Sequence, residues 1–138
     1  MGVGTYRIMD KDFWYQIERD FPTGGGTYEL FCKDENQDII PVNRLLGKDT
    51  NGVLYIGKAK NFLDRVITLK KSISPDYISE NHECGTRYKL SDGIKKSFPY
   101  EGLHVKLTYS QHERELELVK FNEYLGKFGE YPPLNRIG

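Results

Sequence analysis

Three side chains able to handle a phosphate stand within eleven residues: a phenol, Tyr55, an amine, Lys58, and a guanidinium, Arg65. They lie in the run Tyr55-Ile56-Gly57-Lys58-Ala59-Lys60-Asn61-Phe62-Leu63-Asp64-Arg65. Phosphate oxygens are met best by fixed cations together with the unpaired amides of a helix start. The run is built to bring these together. Val53-Leu54-Tyr55-Ile56 is rich in β-branched and aromatic residues and reads as a buried strand, which Gly57 breaks. Asn61 stands at the N-cap of a following helix, with Asp64 three residues on for the reciprocal bond. Arg65 then projects from the first helical turn, and Lys58 and Lys60 occupy the connecting loop.

This run resembles the second signature of the GIY-YIG nuclease family, a strand ending Tyr-Ile-Gly and a helix bearing an Arg ten residues after the Tyr. Tyr55 and Arg65 keep that spacing, and Lys58 follows the Gly as it often does in the family. The family's first signature, Gly-x-Tyr on the opening strand, is matched by Gly26-Thr27-Tyr28, with Thr in place of Ile. The interval from Tyr28 to Tyr55 is longer than the family's usual hairpin, which implies an insertion over roughly 33–50. The family's closing Pro-Pro-hydrophobic-Asn turn is matched by Phe128-Gly129-Glu130-Tyr131-Pro132-Pro133-Leu134-Asn135. The resemblance covers about residues 26–135 and leaves 1–22 outside it as an N-terminal helical extension of one domain over 1–138.

A last helix is expected over 111–128, capped by a Ser110–Glu113 box and stopped by Gly129. At about 100° per residue, Glu117 lies on the stripe formed by Phe121, Tyr124 and Phe128. Glu115 and Glu123 point elsewhere, and Glu113 belongs to the cap. A carboxylate on a core-facing stripe needs a partner or a metal, so Glu117 is the anomalous one. The resemblance implies that this helix supplies one glutamate to a divalent metal, Mg²⁺ or Mn²⁺. Glu117 is preferred on the face argument. Glu123 is the reserve, because family members with a compact ending place their glutamate nearer the closing Asn. The resemblance also carries Asn135 to the active centre.

The remaining elements follow from periodicity and punctuation. Phe13, Trp14, Ile17 and Phe21 recur at helical spacing, predicting a helix over 13–20, which Pro22 and Gly24-Gly25-Gly26 end. Residues 27–32 read as a strand, and Leu103, Val105, Leu107 and Tyr109 alternate as a half-buried strand does. The helix after Asn61 runs to about Ser72. Residues 74–89 show no clean period, and a short helix follows over 93–98 with Asp92 as its cap. The composite is an α+β domain with a small antiparallel three-stranded sheet flanked by helices, which is also what the resemblance implies.

With 138 residues, 13% of them aromatic and 29% charged, the chain has the composition of a globular domain. No apolar run approaches the ~20 residues of a membrane span. The first ten residues lack a secretion pattern, so the two cysteines, Cys32 and Cys84, are expected reduced in a cytoplasmic protein. Net charge is zero, but residues 40–106 carry +5 between flanks of −4 and −1. A basic middle suits a phosphate-binding face. Arg44, Lys60, Lys70, Lys71, Arg87, Lys89, Lys95 and Lys96 are its candidate nucleic-acid contacts, with His82 in the loop beside them. No Walker loop, dinucleotide fingerprint or Ser-His-Asp signature is present, and His82, Cys84, His104 and His112 lack the paired clusters of structural zinc.

What the resemblance implies is a metal-dependent endonuclease of restriction or phage type, acting on DNA as a hydrolase. A tyrosine, Tyr28 or Tyr55, would activate the water, with Arg65 and Lys58 on the phosphate. Cutting both strands would favour a homodimer or higher oligomer. Two other classes remain: a catalytically silent nucleic-acid-binding module on the same scaffold, and a protein-interaction or inhibitor domain.

Overall fold

The computed structural model describes residues 2–77 and 82–135. In chain order the elements are β1 (Val3–Arg7), α1 (Phe13–Asp20), β2 (Gly26–Cys32), β3 (Val42–Arg44), β4 (Gly47–Asp49) and β5 (Tyr55–Ala59). They continue with α2 (Phe62–Ile73), α3 (Glu83–Leu90), α4 (Asp92–Ser97), β6 (Leu103–Tyr109) and α5 (Glu113–Phe128). The architecture is α+β. The main sheet is antiparallel with four strands in the order β1-β6-β2-β5, and β3 and β4 form a separate two-stranded hairpin.

The expected three-stranded sheet is therefore one strand short. The additional strand, β1, comes from the N-terminal segment expected to be only a helical extension, and pairs along β6 from Val3↔Thr108 to Arg7↔His104. Its apolar pattern is slight, because Tyr6 is the only one of its five residues that is fully buried. The insertion between β2 and β5 folds out as the β3–β4 hairpin and leaves the β2–β5 register unbroken, from Gly26↔Ala59 to Leu30↔Tyr55.

Alternation along the strands divides the core in two. Tyr28, Leu30 and Cys32 of β2 and Tyr55 and Ala59 of β5 join a large cluster with Phe13 and Ile17 of α1, Phe62, Val66 and Leu69 of α2, and Cys84 and Tyr88 of α3. On the other face Ile56 packs against Tyr124 and Phe128 of α5, with Phe121 beside them. The sheet is thus a central layer, with β5 at its edge.

Two local expectations change. Part of the segment expected to be irregular is helix α3, capped by His82 rather than lacking a period; residues 78–81 of it lie outside the described residues. The Ser110–Glu113 box does not form. Ser110 Oγ instead accepts from the His112 amide at 2.9 Å, and α5 opens at Glu113 with His112 preceding it. Likewise Ser91, not Asp92, caps α4. Gly129 stops α5 in the left-handed conformation (φ 75°).

Candidate active site

The first half of the site is set by one ladder position. Tyr28 stands directly across from Gly57, and a Cβ placed on residue 57 would fall 2.3 Å from Tyr28 Cζ. Only a glycine lets the phenol ring lie across β5. Leu30 pairs with Tyr55, so period-two alternation turns both tyrosines to the same face. Their ring centroids are 5.9 Å apart.

Helix α2 begins immediately beyond β5. Asn61 Oδ1 accepts from the Asp64 amide at 3.1 Å, which fixes the helix start as the sequence predicts. That start points Arg65 at the tyrosines, and its Nε donates to the Tyr28 hydroxyl at 3.3 Å, across 37 residues of sequence. His82 completes the cluster, with Nε2 2.7 Å from the same hydroxyl. The expectation that His82 contacts nucleic acid from a surface loop is corrected here: its exposure is 0%.

The second half lies on the opposite face. Lys58 is three residues from Tyr55 and so points to the α5 side. The aromatic stripe of α5 seats Tyr124 and Phe128 on Ile56, which draws Glu117 toward the sheet, its side chain 19% exposed and its Oε1 accepting from Lys58 Nζ at 3.3 Å. Glu123 is exposed, and Glu115 is 80% exposed, as helical geometry requires. Burial is the main reason the Tyr55 proton is hard to remove, and the Glu117 charge, acting from the other side of the edge strand β5, adds to it in a smaller way. At that edge Asn135 accepts from the Ile56 amide and donates to the Ile56 carbonyl, each at 2.9 Å. Both ends of its carboxamide are engaged by backbone.

The electrostatics run against the simplest expectation. Cations such as Lys58 and Arg65 would by themselves favour a phenolate. Burial dominates instead, raising Tyr28 well above the ordinary phenol range and pushing Tyr55 up to about 12, while Arg65 pulls each in the opposite direction. Burial lowers His82 to about 4, with Arg65 adding to the effect, so the imidazole is neutral at neutral pH.

Several of the basic residues are engaged within the protein. Arg44 pairs with Glu130 at 3.2 Å and donates to the Tyr131 carbonyl at 2.9 Å, its side chain 14% exposed, so it ties the hairpin to the C-terminal segment. Lys70 lies over the Phe13 ring and donates to the Asp10 carbonyl. Arg87 donates to the Leu134 carbonyl, Lys89 to the Tyr77 carbonyl, and Lys95 pairs with Asp92. Lys60, Lys71 and Lys96 are exposed. Lys60 is the one that adjoins the site, between β5 and α2.

Among the described residues no group of three or more His, Cys, Asp and Glu is gathered to hold a metal. Glu117 offers a single carboxylate with Oε1 turned to Lys58. That donor set does not suit a closed protein cage. It does suit Mg²⁺, a hard cation that keeps several waters and takes its other ligands from substrate phosphate. No helix among the described residues is long and apolar enough to cross a membrane.

Compared with known proteins, the chain matches no family model, no curated protein and no solved structure.

Proposed function

We propose that the chain is a GIY-YIG-like endonuclease that hydrolyses DNA phosphodiesters with Mg²⁺ or Mn²⁺. The observation that supports this most is the meeting of Tyr28, Tyr55 and Arg65 on one face of β5 with Lys58 and Glu117 wrapping its edge from the other. A phenol pair, a fixed guanidinium and a carboxylate are the parts that in-line displacement at phosphorus uses. Arg65 holds a non-bridging oxygen, and Lys58 neutralises charge beside it. One tyrosine of the pair, as phenolate, takes a proton from water; the water oxygen bonds to phosphorus while the bond from phosphorus to the 3′ oxygen breaks. Glu117 would hold the divalent ion, which would supply charge neutralisation at phosphorus and at the leaving oxygen. DNA is the partner, and cleavage of both strands by a chain with one such site calls for a second copy.

A second reading has one observation in its favour. Burial keeps both phenols neutral in the free protein, which suits a scaffold that binds nucleic acid without cutting it. Incubation with supercoiled plasmid separates the two. Mg²⁺-dependent nicking that chelation abolishes, leaving 5′-phosphate and 3′-hydroxyl ends, is expected of the nuclease. Salt-sensitive retention of intact plasmid would instead establish the silent module.

A further inference from the structure

His82 opens helix α3, and its ring has no freedom to choose a tautomer. Nδ1 accepts a hydrogen bond from the Cys84 amide at 3.2 Å, in the geometry of an N-cap. A ring nitrogen that accepts carries no proton, so in the neutral imidazole the proton sits on Nε2. Nε2 is 2.7 Å from the Tyr28 hydroxyl oxygen. The helix cap thus sets the direction of that bond: His82 donates and Tyr28 accepts. Arg65 Nε donates to the same oxygen from 3.3 Å. With two N–H donors on it, the Tyr28 oxygen has its acceptor positions filled. The Tyr28 and Tyr55 rings lie side by side, 5.9 Å between centroids. His82 is also packed edge-on against both rings, at 6.0 Å and 5.5 Å between centroids. The titratable groups facing it are Tyr28 from β2, Tyr55 from β5 and Arg65 from α2.

We infer that His82 is a positioning residue: locked as the Nε2–H tautomer by the first turn of α3, it donates to the Tyr28 oxygen and, together with Arg65, fixes that phenol in place beside Tyr55. The catalytic consequence rests on the nuclease reading; the tautomer and the direction of the hydrogen bonds do not.

The test has two independent arms. Long-range proton–nitrogen spectra of ¹⁵N-labelled protein at neutral pH report the His82 tautomer, the signal being assigned by its disappearance in His82→Gln. A resonance pattern with Nε2 protonated and Nδ1 bare is expected. A protonated Nδ1 overturns the inference whatever the protein does to DNA. In the second arm, Mg²⁺-dependent plasmid nicking is followed against pH for wild type, His82→Ala and His82→Gln, each first shown to be folded by its unfolding transition. His82→Ala should lower kcat by about 100-fold with KM within about twofold, and should move the alkaline limb of the pH profile. His82→Gln, whose side-chain amide restores a donor to Tyr28, should recover most of that loss. Unchanged kcat and pH profile in folded His82→Ala overturns the positioning role, as does a folded His82→Gln as impaired as the alanine variant. Absence of nicking by the wild type overturns the nuclease reading and with it the catalytic role of His82, leaving the tautomer to be decided by the spectra.

Discussion

The Asn135 carboxamide occupies both backbone hydrogen-bonding groups of Ile56, accepting from its amide and donating to its carbonyl at 2.9 Å each. A side chain here does what a neighbouring strand does elsewhere, and the Leu134 amide continues the pattern by donating to the Leu54 carbonyl at 2.8 Å. The C-terminal segment thereby covers part of the exposed edge of β5, an edge that would otherwise invite pairing with another chain.

Removing that clamp should register as lost stability. Asn135→Ala leaves two polar groups of a buried residue unpaired, a loss of about 1–3 kcal/mol. Asn135→Asp should be no better, because an oxygen then faces the Ile56 carbonyl. Urea unfolding checks both: the midpoint should fall with the slope unchanged. Midpoints equal to wild type would show the clamp to be idle.

Gly57→Ala should disable the site. Its Cβ would fall 2.3 Å from Tyr28 Cζ and 2.6 Å from the hydroxyl oxygen, so the ring must leave the position where Arg65 and His82 reach it. We expect a loss of about 1–3 kcal/mol from overpacking and loss of DNA nicking in protein that is still folded. Normal nicking by this variant would mean that the Tyr28 hydroxyl is not needed where it stands.

The two candidate glutamates are separable. Glu117→Gln keeps shape and loses charge. Its pairing with the half-exposed Lys58 contributes only about 0–1 kcal/mol, so stability should hardly move while the nicking rate falls by about 100-fold or more. Glu123→Ala should stay within about twofold of wild type. The opposite pattern would transfer the metal-binding role to Glu123.

Acid should destabilise the fold partly through His82. The unfolded chain takes up its imidazole proton near the ordinary value of 6.5, whereas burial delays uptake in the folded protein to about 4. Between those values the unfolded state binds more protons, so stability is full above about pH 6.5 and is lost as pH falls toward 4. From pH 7 to pH 5 the loss from this group is about 2 kcal/mol. His104, also lowered by burial, adds in the same direction. Urea midpoints at the two pH values should converge in His82→Gln relative to wild type. An equal drop in both proteins would contradict the neutral, buried imidazole.

Much of the scaffold was legible because single residues announce it. Helix α1 begins and ends where the apolar spacing places it, at Phe13–Asp20, Asn61 caps α2, and Gly129 closes α5. The α5 stripe separated Glu117 from its neighbours by angle alone. Three features were hidden for physical reasons. Strand β1 is a short edge strand with Gly4 and one buried residue, Tyr6, too little pattern to read without its partner β6. Helix α3 carries Gly85 in its first turn, which in isolation argues against a helix. That glycine is required by tertiary packing, since a Cβ there would sit 2.3 Å from Ser72 Cβ on α2. The inward turn of His82 was invisible for the same reason, because it depends on where α3 docks. Arg44 shows the converse: a cation in a basic stretch, tied to Glu130 from far along the chain, cannot be told from a phosphate contact by charge counting.

The most direct test of the account is the initial rate of Mg²⁺-dependent nicking of supercoiled plasmid by wild type and by Arg65→Ala, the residue that joins α2 to the tyrosine pair. We predict measurable nicking by wild type and a rate lower by about 100–1,000-fold in the folded variant. Equal rates in the two proteins, or no nicking by wild type with either Mg²⁺ or Mn²⁺, would contradict it.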